Sequence, residues 1–115
     1  MENLIWTVKN GELDDLKSIV DSQNIQINQD INGRTLLHYA ADYGQSDVVS
    51  YLISKGADAL DKHGISALLA AIWEGHTNCV KILINSGASR TGTAPDGTSY
   101  VDAAEKPEIK ALLGA

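Results

Sequence analysis

Phenylalanine is absent from this 115-residue chain, and only two Trp and four Tyr supply aromatic rings. A core centred on stacked aromatics is therefore excluded, and small aliphatic side chains must fill the interior. The single cysteine, Cys79, excludes an internal disulfide framework. No apolar run approaches the roughly 20 residues that a membrane span needs, and no Asn-x-Ser/Thr sequon occurs. The opening MENLIWTVKNGELDDL reaches an Asn-Gly and several acids too soon for a secretory leader. The expected compartment is the cytoplasm, with the nucleus as a second.

Cations are also scarce. Nine Lys/Arg stand against fifteen Asp/Glu, a net charge of −6. Residues 1–60 carry nine acids and four bases, a balance of −5, whereas residues 61–115 carry six and five. Binding to a phosphate backbone is disfavoured, because phosphates need compensating cations. A basic protein surface is the favoured partner class, steered through the N-terminal half.

What the chain does contain is a repeat. NGRTLLHYAADYGQSDVVSYLISKGAD (32–58) lies without a gap on HGISALLAAIWEGHTNCVKILINSGAS (63–89), a step of 31 residues. Gly11 stands 33 residues before Gly44, and Gly97 stands 33 after Gly64. Each copy reads helix, tight turn, helix. TLLHYAAD (35–42) has Thr35 available as N-cap, and Gly44 suits a turn that needs positive φ. SDVVSYLIS (46–54) has Ser46 as the expected N-cap, Asp47 at its positive end, and Val48, Val49, Leu52 and Ile53 as its apolar stripe. A lone helix pair of this size cannot bury such a stripe, but stacked pairs share one continuous core.

These strings resemble ankyrin repeats. The family's Thr-Pro-Leu-His turn stands here as Thr35-Leu36-Leu37-His38 and, degraded, as Ser66-Ala67-Leu68-Leu69. Gly75-His76 and Gly56-Ala57-Asp58 match two further family signatures. The resemblance implies an all-α solenoid of four stacked helix-turn-helix units. Their approximate bounds are 1–29, 30–60, 61–93 and 94–115, with the first and last as caps, in a chain monomeric on its own. The joining finger 56–64 is two residues shorter than its counterpart 87–97. Side chains on extended arms alternate with period two, so that loss preserves the inward and outward sets and costs only reach.

Candidate chemistry is thin. His38 lies near Thr35 and Asp42, but the resemblance implies a histidine that hydrogen-bonds the Thr hydroxyl and locks the turn. His76 and Cys79 are spaced i, i+3 as a zinc pair could be, yet no second Cys/His pair completes four ligands. Neither a GxGxxG nor a GxxxxGK[ST] string is present. No cofactor, metal site or catalytic constellation is expected, and an enzyme is the disfavoured reading.

In ankyrin stacks the first helix of each unit lines the concave side. That resemblance puts Trp6, Tyr39, Asp42, Tyr43, Trp73 and Glu74 on one outward-facing stripe. Trp and Tyr are enriched at binding hot spots. The competing reading is that these rings merely cover gaps between units. Among ankyrin proteins, LLHYAAD-Y-GQ (36–45), EGH-T-N-CVK (74–81) and IKALL (109–113) resemble the small four-repeat type that binds heterodimeric actin capping protein and keeps it off filament barbed ends. That resemblance adds Asp30 and Asn32, on the first full finger, to the candidate contact set. Inhibition of a kinase or of a Rel-type transcription factor is the alternative on the same scaffold.

Overall fold

The computed structural model describes residues 2–31, 34–57 and 66–114, with side chains from Leu4 onward in the first helix. Among these residues eight helices follow in order: α1 (Glu2–Lys9), α2 (Leu13–Gln23), α3 (Leu36–Asp42), α4 (Ser46–Ser54), α5 (Ala67–Glu74), α6 (Thr77–Asn85), α7 (Tyr100–Ala103) and α8 (Pro107–Leu112). Among the described residues extended pairing is limited to two isolated antiparallel bridges, Ile31 with Arg34 and Thr93 with Ser99. The shortened finger falls outside the described residues.

The inner helices start where a hydroxyl satisfies the first free N–H groups. Thr35 accepts from His38 N, Ser66 from Leu69 N, and Ser99 from Asp102 N. The outer helices start differently. Ser46 is not the cap expected of it: it is already helical, and Gln45 occupies the cap position without a side-chain cap bond. The Gln45 side chain reaches the Lys9 carbonyl of α1. Asp14 and Asp15 in α2, Asp47 in α4 and Glu108 in α8 instead place negative charge in the first turn, against the positive end of each helix. Pro107 begins α8, where its missing N–H costs nothing.

Packing runs along two layers. The inner layer stacks α1 on α3, α3 on α5 and α5 on α7; the outer layer stacks α4 on α6 and α6 on α8. Leu16, Val49, Leu52, Val80, Leu83 and Ile109 of the outer helices close onto Leu36, Leu37, Leu68, Leu69 and Ile72 of the inner ones, all fully buried. Ile53, expected in that stripe, is only half-buried. The result is 43 Å long and 23 × 21 Å across, a one-dimensional stack rather than a sphere.

Neighbouring units are also joined by one recurring hydrogen bond. The residue after the turn glycine in two units, and Lys106 (which follows Glu105) in the last, reach back to a carbonyl at or just past the end of the previous inner helix. Gln45 Nε2 donates to Lys9 O (2.7 Å), His76 Nε2 to Asp42 O (2.9 Å), and Lys106 Nζ to Gly75 O (2.8 Å). These carbonyls lie in the last turn or at the cap just beyond it, where no intrahelical donor remains. The reach works only because the turn residue it crosses has no side chain. A Cβ on Gly44 would lie 2.6 Å from His76 Nδ1, and its φ of +71° disfavours any other residue as well.

Candidate protein-interaction face

The expected stripe divides once its register is followed back from the turn glycines Gly11, Gly44 and Gly75. Five positions before them stand Trp6, Tyr39 and Ala70. Trp6 is 59% exposed, whereas Tyr39 is 7% and Ala70 2% exposed. The difference is positional. Tyr39 is boxed by Lys9 of α1 (Nζ 5.6 Å from the ring centroid) and by Arg34 (5.0 Å), and its hydroxyl donates to Ile31 O at 3.1 Å. In this structure α1 has no preceding helix pair, so Trp6 stays open on the end of the stack. Tyr39 therefore does not point outward as expected. It is a structural ring tying a finger to an inner helix.

One and two positions before the glycines, the side chains do face out. Asn10, Tyr43 and Glu74 are exposed. Of the other row, Lys9 and Asp42 are half-buried and Trp73 is 48% exposed. Tyr43 is 47% exposed, and Lys9 Nζ lies 5.1 Å from its ring centroid. Such a cation contributes about 0.5–1 kcal/mol at an exposed site and holds the ring in place. Asp42 pairs with Arg34 at 3.6 Å, both partly exposed, so its charge is largely neutralised on the face itself.

This arrangement changes the electrostatics expected from the composition. The inner face carries Lys9, Arg34, Asp42 and Glu74, two charges of each sign. The acidity of the N-terminal half lies instead on the turn and outer helix beside it, where Glu12, Asp14, Asp15 and Asp21 are exposed. The acidic surface and the ring-bearing face thus lie on different sides of the molecule. Asp30 is exposed on the first finger, and Asn32 lies outside the described residues. Sequence reasoning missed that Lys9 and Arg34 clamp the tyrosines. Lys9 shares a register position with Asp42 and Trp73, but nothing in its spacing showed which ring it would meet.

The other candidates resolve into structure. Thr35 Oγ1 and His38 Nδ1 are 2.7 Å apart, with the imidazole buried, so His38 fastens the start of α3. His76 bridges units through Asp42 O, and Cys79 is buried on α6. Burial pushes the Cys79 thiol up to about 11, away from a reactive thiolate. No cluster of three or more metal-ligating side chains occurs among the described residues. An open cleft of about 290 Å³ lies beside the starts of α4 and α6, but Lys106, its cation, is engaged by Gly75 O. On the outer side, Tyr51 lies between Lys17 and Lys55, 5.8 and 5.9 Å from its ring centroid. Burial, and then the Asp21 carboxylate, raise the pKa of its phenol above the ordinary value.

Comparison with known proteins agrees with this architecture. A family model described as Ankyrin repeats (3 copies) matches residues 4–93. The ankyrin repeat domain of human ASB11 superposes with a TM-score of 0.84 over 96% of this chain and 51% of that one, at 24% identity, a likeness of fold. Myotrophin of Xenopus tropicalis is 43% identical over 58 residues, half of this chain and 48% of that protein. The 26S proteasome non-ATPase regulatory subunit 10 of Dictyostelium discoideum is 34% identical over 76% of this chain and 39% of its own length. Human Inhibitor of Bruton tyrosine kinase is 31% identical over 87% of this chain but only 8% of its own length. The chain thus spans about half or less of the length of the curated relatives it matches.

Proposed function

Given that this chain belongs to the ankyrin-repeat family, we propose that it is a protein-interaction module whose partner is heterodimeric actin capping protein, which it keeps from filament barbed ends by steric occlusion. The observation that carries the interaction reading is the exposure of Tyr43 and Trp73 on adjacent inner helices, outside the core. Two large rings held open to solvent at neighbouring register positions contribute nothing comparable to the fold, and such rings dominate binding energies where they are found. The choice of capping protein is supported by the similarity to myotrophin over half the chain and by the strings at 36–45, 74–81 and 109–113. Ankyrin scaffolds typically bind proteins rather than catalyse reactions, and the site offers contact chemistry: two rings, a paired Arg34–Asp42, and Glu74 at the edge. Exposed acids on α2 would raise the encounter rate with a basic surface without entering the contact.

Calorimetric titration of this chain into purified capping protein, at low and moderate salt, tests the reading. Binding should be one to one and weaken as salt rises. Trp73→Ala or Tyr43→Ala should each weaken it by about 2 kcal/mol or more while the melting temperature stays nearly unchanged. Absence of heat together with absence of co-elution would overturn the assignment of this partner. A large loss of thermal stability in either variant would return that ring to the core.

A further inference from the structure

The face has an order of charge as well as two rings. Lys9 meets no carboxylate among the described residues and rests on Tyr43 and Tyr39. In the next helix Asp42 is neutralised by Arg34. Trp73 and Glu74 follow at the end of α5, both exposed, and Glu74 meets no cation among the described residues. From α1 to α5 the face therefore reads positive, neutral and aromatic, then aromatic and negative.

The spacing between those stations is set by helix packing, about 8–10 Å per step. A β-strand laid across them places same-side residues at roughly 6.6 or 13 Å, from its rise of about 3.3 Å and its period of two. Neither value fits. A polyproline II segment has three residues per turn and a rise of about 3.1 Å, so same-side residues recur every 9.3 Å or so. It has no internal hydrogen bonds, and its preset backbone loses little entropy on docking.

We propose that the inner face reads a polyproline II segment of its partner carrying an acidic side chain over Lys9, an apolar side chain three residues on against Tyr43 and Trp73, and a basic side chain three residues further against Glu74. The charge order of the face selects that ligand and fixes its direction of travel across the helices. This inference rests on the reading that Tyr43 and Trp73 form the binding face, but not on the identity of the partner.

The test uses the intact chain and two synthetic peptides, followed by tryptophan fluorescence and by NMR shifts of the Trp73 indole. One peptide, Glu-Pro-Pro-Leu-Pro-Pro-Arg, sets its three side chains at i, i+3 and i+6; the other has the same composition with them at i, i+2 and i+4. The first should bind about tenfold more tightly and shift the Trp73 indole. Glu74→Lys should weaken it about tenfold, and replacing the peptide's Arg by Glu should restore the lost affinity. Lys9→Glu is the matching swap at the other end, restored by a Lys in place of the peptide's Glu. Because Lys9 also rests on Tyr39, a melt accompanies that variant, and Glu74→Lys decides if it unfolds. Equal binding of the two peptides, or indifference to both charge swaps, overturns the proposal. Capping protein bound through Trp73 with neither swap having effect would sink this inference and leave the proposed function standing. Selective peptide binding without capping-protein binding would do the reverse.

Discussion

Tyr39 shows how one register position carries two fates. It and Trp6 both stand five residues before a turn glycine, yet one is enclosed by Lys9, Arg34 and the Ile31 carbonyl while the other is open. Tyr39→Phe should cost about 1 kcal/mol in urea unfolding, the usual net value of one hydrogen bond. The loss stays small because Ile31 O still accepts from Arg34 N at 3.1 Å. Cys79 gives a second prediction, in pH. Its folded thiol stands near 11 against 9.0 for the ordinary group. The unfolded chain therefore releases its proton first, and stability, complete below about pH 9, falls as pH climbs toward 11. Cys79→Val, which copies the buried Val48 at the equivalent site, should flatten the fall. Urea midpoints at pH 8 and pH 10.5 check it, with an unchanged slope in the variant ruling the thiol out.

At the scale of the element, Ser66 has two duties. Its Oγ accepts from Leu69 N and lies 2.7 Å from the hydroxyl of buried Tyr100, so the cap of α5 is also a strut to α7. Ser66→Ala should cost about 2–3 kcal/mol, a lost cap plus an orphaned buried hydroxyl. Ser99→Ala removes a cap alone and should cost about 1 kcal/mol. Equal losses in chemical denaturation would mean that the strut contributes nothing. In the outer layer, Leu52→Ala leaves a cavity beneath α4 and should cost about 2–5 kcal/mol. The cap Thr35 was legible in the sequence because a hydroxyl before an apolar run has a local meaning. Ser46 was not, for its neighbour Gln45 is claimed by Lys9 O, 36 positions away. A choice settled by a distant carbonyl leaves no local trace.

The same division holds for the whole molecule. The repeat, the helix pairs and the turn glycines could be read from spacing, because each is dictated within one unit. Which ring ends up enclosed depends on what lies beside the unit, so Tyr39, expected among the outward residues, is buried while Tyr43 and Trp73 are exposed. An end of the stack should then tolerate what its middle cannot. Trp6→Lys is expected to change stability by less than about 0.5 kcal/mol, as exposed sites do. Tyr39→Lys should cost more than about 3 kcal/mol, through an unpaired buried charge. Matching thermal melts of the two variants would remove the distinction.

The bonds from Gln45, His76 and Lys106 all run the same way, from a later unit to an earlier one. Each unit thus brings its own fastener and needs from its predecessor only a main-chain oxygen and a turn glycine that lets the fastener pass. A copied helix pair that carries its turn glycine with it arrives equipped both to attach and to be attached to. Lengthening by duplication asks for no new lock and key, and the inner-face residues one and two places before each glycine are left free to diverge toward different partners.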